Sequence, residues 1–104
     1  MNSPEQGPST RLQRHLSRGI LDLEMLRLPE AQERFRLAVA EAPASAEAWF
    51  WLGRCNEELG ERVGAAYCFS FALACARRHG PAREGLRRLG YIHAGDGEGD
   101  AHER

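Results

Sequence analysis

Residues recur at a separation of 34, among them Gly19 with Gly53, Ala31 with Ala65, Phe35 with Phe69, and Ala38 with Ala72. A period of this length constrains a chain more than composition does, because each period must be one supersecondary unit that buries its apolar face against the next. Three of the pairs lie within one segment at steps of four and three, the spacing that keeps side chains on one helix face. The alanines let two helices approach closely, and the phenylalanine fills the space between them. No stretch alternates apolar and polar residues between hairpin signals, so the expected class is all-α.

Helix start and stop signals agree with the period. Ser9 or Thr10 is placed to cap a first helix, and Pro29 sits in the first turn of a second. Pro43 ends the second helix, and Ser45, followed by Glu47, opens a third. Gly60 falls just past the end of the third, and Gly80-Pro81 separates a fourth from a fifth. An apolar stripe of Leu12, Leu16, Ile20 and Leu23 gives the first helix its core face.

The second unit reads Trp49-x2-Leu52-Gly53, then Ala65-x3-Phe69 and Ala72. The first supplies Pro29-Glu30-Ala31-x3-Phe35-x2-Ala38, closed by Pro43. These residues resemble the tetratricopeptide repeat family. The resemblance implies a right-handed helix-turn-helix solenoid of about five helices over residues 10–93. Its units cover about 10–43 and 45–79, and a capping helix covers 81–93. A disordered segment, 1–9, and a disordered acidic, glycine-rich tail, 94–104, flank it. Asn56 stands where the family prefers tyrosine, and Arg77 where it prefers proline. At an offset of 34 the first helix sets His15 and Arg18, poor core residues, opposite Trp49 and Leu52. Sliding it by one residue, with an extra residue in the Leu26–Leu28 connection, sets Leu16, Gly19, Ile20 and Leu23 on the family positions instead. Leu86, Leu89, Gly90 and His93 repeat the spacing of Trp49, Leu52, Gly53 and Asn56 at 37, as though three residues were inserted near His79.

Composition narrows the function classes. The 104 residues are 42% apolar and 28% charged, with a net charge of −1. That balance argues against a general nucleic-acid binder. All 14 basic residues are arginine, which favours bidentate and stacked contacts over point charges. Residues 1–18 show no signal-peptide pattern, and the longest uncharged run, Val63–Ala76, is shorter than the roughly 20 residues of a membrane span. A cytoplasmic protein without membrane insertion is expected. Cys55, Cys68 and Cys75 form no CxxC pair and read as buried free thiols of a reducing compartment, although a Cys55–Cys68 disulfide is sterically conceivable. His15, His79, His93 and His102 have no metal spacing, and His79 is explained by the dipole of a helix C-terminus. Asp96, Glu98 and Asp100 alternate with glycines but lack the sixth-position glycine of a calcium loop. No nucleophile, acid–base pair or phosphate loop has supporting context, so neither an enzyme nor a cofactor is expected.

The tetratricopeptide resemblance implies a concave surface lined by the first helix of each unit. By register this surface takes Arg14, Ser17, Leu21 and Glu24 from the first unit. It takes Glu47, Phe50, Arg54 and Glu57 from the second, and Glu84, Arg87 and Tyr91 from the capping helix. Phe50 beside Arg54 reads as a binding hot spot. Trp51 either joins that surface or packs on the preceding helix. Arg77, Arg78, Arg83, Arg87 and Arg88 against the single acid Glu84 read either as a solvated surface with dipole pairing or as a cationic groove end for an acidic segment. Tyr67 and Phe71 give the fourth helix a second apolar surface, Phe71 expected under the capping helix and Tyr67 under a partner.

The expected function is a non-enzymatic adaptor or scaffold that holds a peptide or helix of another protein. Two and a half units bury little on their own, which points to a homo- or hetero-oligomer. The other readings are a small secretion-type chaperone and a structural subunit that polymerises by stacking.

Overall fold

A computed structural model describes residues 8–92. Five helices follow one another: α1 (Pro8–Glu24), α2 (Leu28–Glu41), α3 (Ala46–Glu58), α4 (Arg62–Cys75) and α5 (Gly80–Arg88). Among the described residues there is no strand, and no helix is long and apolar enough to cross a membrane. Each helix packs on its neighbour in sequence, and α1 with α3 and α3 with α5 touch more lightly. The tail from 94 onward, His93 and His102 lie outside the described residues, as does most of segment 1–9.

The sequence explains why two helices can close on each other in each pair. A Cβ on Gly19 would lie 2.5 Å from the Phe35 ring, and one on Gly53 would lie 2.7 Å from the Phe69 ring. Both distances are too short for any other residue, so the recurring glycine is the groove into which the recurring phenylalanine fits. Gly85 of α5 meets the opposite edge of Phe69 at 2.5 Å. Around Phe35 gather Leu16, Leu23, Ala31, Ala38, Leu52 and Cys55. Around Phe69 gather Ala65, Ala72, Ala82, Leu86 and Leu89. Trp49 packs against both groups.

The backbone keeps the 34-residue period through both connections. After α1, Met25 N–H donates to Leu21 and Arg27 N–H to Asp22; after α3, Leu59 N–H donates to Cys55 and Glu61 N–H to Asn56. The residues that reverse the chain, Leu26 (φ 60°) and Gly60 (φ 81°), are again 34 apart. So are the N-cap positions Arg27 and Glu61, and the C-caps Ala42 and Ala76. The slid register of the first helix is therefore incorrect, and no extra residue lies between Leu26 and Leu28. His15 and Arg18 look misplaced only when both odd helices are assumed to be covered alike. Leu52 of α3 is buried among α1 and α2, whereas Arg18 of α1 is exposed.

The 37-residue echo also gives way. Ser45 Oγ accepts from Ala48 N–H at 3.1 Å, and His79 Nδ1 accepts from Ala82 N–H at 3.1 Å, so α3 and α5 open 34 residues apart. Nothing is inserted near His79, which caps the start of α5 instead of completing the end of α4. The break between α4 and α5 runs over Ala76–His79, and Gly80-Pro81 form the first turn of α5. That helix ends at Arg88, short of the expected 93. Gly90 has φ 86° and matches the turn glycine Gly60, not the helix glycine Gly53. At the other end, α1 begins at Pro8, so Ser9 and Thr10 lie inside it and do not cap it. Ser45, Pro29 and Gly60 take the positions expected of them.

Candidate partner-binding surfaces

Between α1 and α3 lies a cleft of about 260 Å³. Ile20, Leu23, Leu26 and Trp51 give it apolar walls, and Glu24, Arg54 and Glu58 give it charge. Trp51 lines the cleft while stacking on Phe35 of the preceding helix at 6.1 Å. Of the expected concave-surface residues the cleft gathers Glu24, Trp51 and Arg54. Arg14, Ser17, Leu21 and Glu47 are exposed but outside it.

The joint between α3 and α5 is built on the same register but is closed. Arg88 donates from Nε and Nη2 to the two carboxylate oxygens of Glu57 at 3.0 and 2.8 Å. This bidentate hydrogen bond holds the Glu57 carboxyl below its ordinary range, against a smaller opposing effect of burial. Thirty-four residues earlier, Leu23 stands where Glu57 stands and Arg54 where Arg88 stands. Arg54 therefore finds no carboxylate across the joint. Its own helix supplies Glu57 and Glu58, at 3.7 and 3.8 Å, beyond hydrogen-bond reach. Its Nε is buried without a hydrogen-bond partner, a costly state for a cationic donor. Across the other side of the joint, Trp51 corresponds to Gly85.

Leu26 at the lip of the cleft is left-handed and 71% exposed. A branched side chain in that conformation costs roughly 1 kcal/mol, which is why glycine usually takes the position. Ile20, Leu23, Leu26 and Glu58 were not among the expected site residues. The signal was present: a leucine at 26 where its 34-residue counterpart is Gly60, and a leucine at 23 where it is Glu57.

Phe50, the expected hot spot, packs on one side into the protein. It is half-buried, with its ring 5.9 Å from Phe69, 5.3 Å from the His79 imidazole and 5.1 Å from Trp51. The helix face that Trp49 and Leu52 leave free is thus turned toward α4 and α5. Glu84 and Arg87 pair with each other, Arg83 donates to the Arg77 carbonyl at 3.1 Å, and Arg77 and Arg78 are exposed at the α4–α5 turn. Tyr91, beyond α5, is 52% exposed.

The second apolar surface has a different cover from the one expected. Phe71 stacks on Trp49 of α3 at 4.6 Å, and it is this ring, not α5, that shields it. Tyr67 stacks on Phe71 at 5.7 Å and is 65% exposed. The Trp49 indole donates to the Pro43 carbonyl at 2.7 Å, which fixes one end of this row of rings.

All three cysteines are free; Cys55 and Cys68 are buried, but Cys75 is exposed near the end of α4. Burial pushes the Cys55 and Cys68 thiols up to about 11, which makes them inert at neutral pH. Cys68 accepts from Asn56 Nδ2 at 3.6 Å, and Asn56 Oδ1 accepts from Gln32 at 2.7 Å. A buried asparagine thus joins α2, α3 and α4 at the place where a tyrosine was missing.

No protein-family model matches this chain, and no curated protein matches it in sequence.

Proposed function

We propose that the chain is a non-enzymatic protein-binding module of the tetratricopeptide type, an adaptor whose α1–α3 cleft holds a segment of another protein. The segment presents an apolar side chain to Ile20, Leu23, Leu26 and Trp51, and a carboxylate to Arg54. The observation that carries this reading is the contrast between two joints of one register. An incoming carboxylate gives Arg54 the bidentate hydrogen bond that Glu57 already gives Arg88 and that the looser ion pairs of Arg54 with Glu57 and Glu58 do not supply. The free thiols fit a reducing compartment, the cytoplasm.

A display selection of random peptides on the purified protein tests the reading. Enriched sequences are expected to carry Asp, Glu or a free C-terminal carboxylate beside Leu, Ile or Phe. Arg54→Gln and Leu26→Gly should each weaken the best peptide by about 10-fold, with helicity by circular dichroism unchanged. Peptides that bind both variants as tightly as the parent protein would place the site elsewhere and sink the proposal.

A further inference from the structure

Along α4, Val63, Tyr67 and Phe71 follow at steps of four and are 69%, 65% and 44% exposed. Ser70, Ala74 and Cys75 fill the same side with small exposed side chains. The corresponding residues of α2 are Pro29, Glu33, Leu37, Arg36, Ala40 and Glu41. The corresponding α2 face mixes charge (Glu33, Arg36, Glu41) with Pro29, Leu37 and Ala40 and has no ring, so the fold itself does not require the rings. They account for on the order of 300 Å² of exposed apolar surface.

We infer that this stripe is the interface of a closed two-fold dimer, in which α4 packs antiparallel against α4 of a second copy. Charge selects the second copy and the direction. Glu61 immediately precedes α4, and Arg77 and Arg78 follow it, all three exposed. Among the described residues neither arginine side chain has a carboxylate partner, and Glu61 accepts only from Gln32 at 3.3 Å. Antiparallel pairing brings each Glu61 to the arginines of the other copy, and the two-fold makes that contact twice. Size agrees: a two-fold axis between Tyr67 and Phe71 sets each Tyr67 over the small Ser70 and each Val63 beside Ala74 and Cys75.

Arginines on the outer helices disfavour the competing arrangement, in which copies stack end to end. Arg87 stands at the position of Gly19 and Gly53, where a further phenylalanine would have to enter. At the other end, Arg14 and Arg18 stand where α3 buries Ala48 and Leu52. The apolar area is below the roughly 800 Å² per partner of a standard interface, which places the association among the weak ones.

Sedimentation equilibrium from about 1 µM to about 1 mM reads the state directly. A monomer–dimer equilibrium is expected, and Tyr67→Glu should weaken it by at least ~10-fold without loss of helicity. Glu61→Arg should weaken it too, and combining that change with Arg77→Glu and Arg78→Glu should restore it. Under mild oxidation Val63→Cys should form an intermolecular disulfide to Cys75, located by mass mapping. A protein that stays monomeric throughout, a dimer indifferent to Tyr67→Glu, or 63–63 and 75–75 disulfides in place of 63–75 would each overturn the inference.

Discussion

The pair α1–α2 and the pair α3–α4 are two solutions on one backbone, and their differences separate what the fold demands from what it leaves free. Both keep the glycine under the phenylalanine, the two alanines beside it, and the same turn and cap hydrogen bonds at 34 residues. They diverge at three places: what lies against the far side of the phenylalanine, what reverses the chain, and whether the odd helices are joined by charge. The shared glycine and phenylalanine are features that a larger residue would break by collision. The divergent ones face solvent, a cleft or the next helix.

The far side of the ring should give the largest effect. Phe35 has Trp51 stacked on it, whereas Phe69 is held between Gly53 and Gly85. Removing either ring is expected to cost about 3–5 kcal/mol, with Phe69→Ala at the upper end, because Phe69 holds Gly85 of α5 as well as Gly53 of α3. Chemical denaturation measures the difference. Hydrogen exchange should show α5 deprotected in Phe69→Ala but not in Phe35→Ala. Equal costs and equal α5 protection would mean that the two rings are equivalent after all.

The turns come next. Leu26→Gly removes left-handed strain and should raise stability by about 1 kcal/mol, roughly 4–8 °C in Tm for a domain of this size. Gly60→Ala should lower it by a similar amount. The two shifts must have opposite signs if the turns share one backbone. The sign for Leu26 also bears on function, since the same substitution is expected to stabilise the protein and weaken its ligand.

The smallest effect lies at the charged joint. Arg88 holds the Glu57 carboxyl below its ordinary value of 4.5. A carboxyl lowered in the folded state stabilises fully above that ordinary value and loses its contribution as pH falls through the folded one. Glu57→Gln should therefore cost about 0.5 kcal/mol near neutrality and nothing well below pH 4. Urea midpoints of the two proteins should converge on acidification; curves that stay parallel would show that the ion pair contributes nothing measurable.

The period, the all-helical class and most helix limits were legible in the sequence because glycine, alanine, phenylalanine and proline declare steric needs in their type. Register was harder where one letter serves two purposes. Gly90 matched Gly53 by spacing, yet one glycine serves a left-handed turn and the other a ring contact, and only the backbone tells them apart. His15 and Arg18 misled for a related reason: position in a repeat does not reveal whether a neighbour covers it. Cys75 reads as buried yet is exposed, because helical phase predicts a direction but not what lies there. The cleft is not legible in sequence because Ile20 and Leu23 serve the core and the cleft wall at once. The contrast between Leu23 and Glu57 becomes informative once the shared register is known.

Arg87 at the third position of the series Gly19, Gly53 has a consequence for how such a protein could change in length. A new 34-residue unit spliced in at the Pro43–Ser45 turn would inherit a ring from α2 below and a glycine from α3 above, so the array accommodates growth in its interior. A unit attached beyond α5 would drive an aromatic ring into a guanidinium already paired with Glu84. Duplication in the middle thus meets a ring and a glycine already matched, whereas extension past α5 would first have to move one arginine side chain.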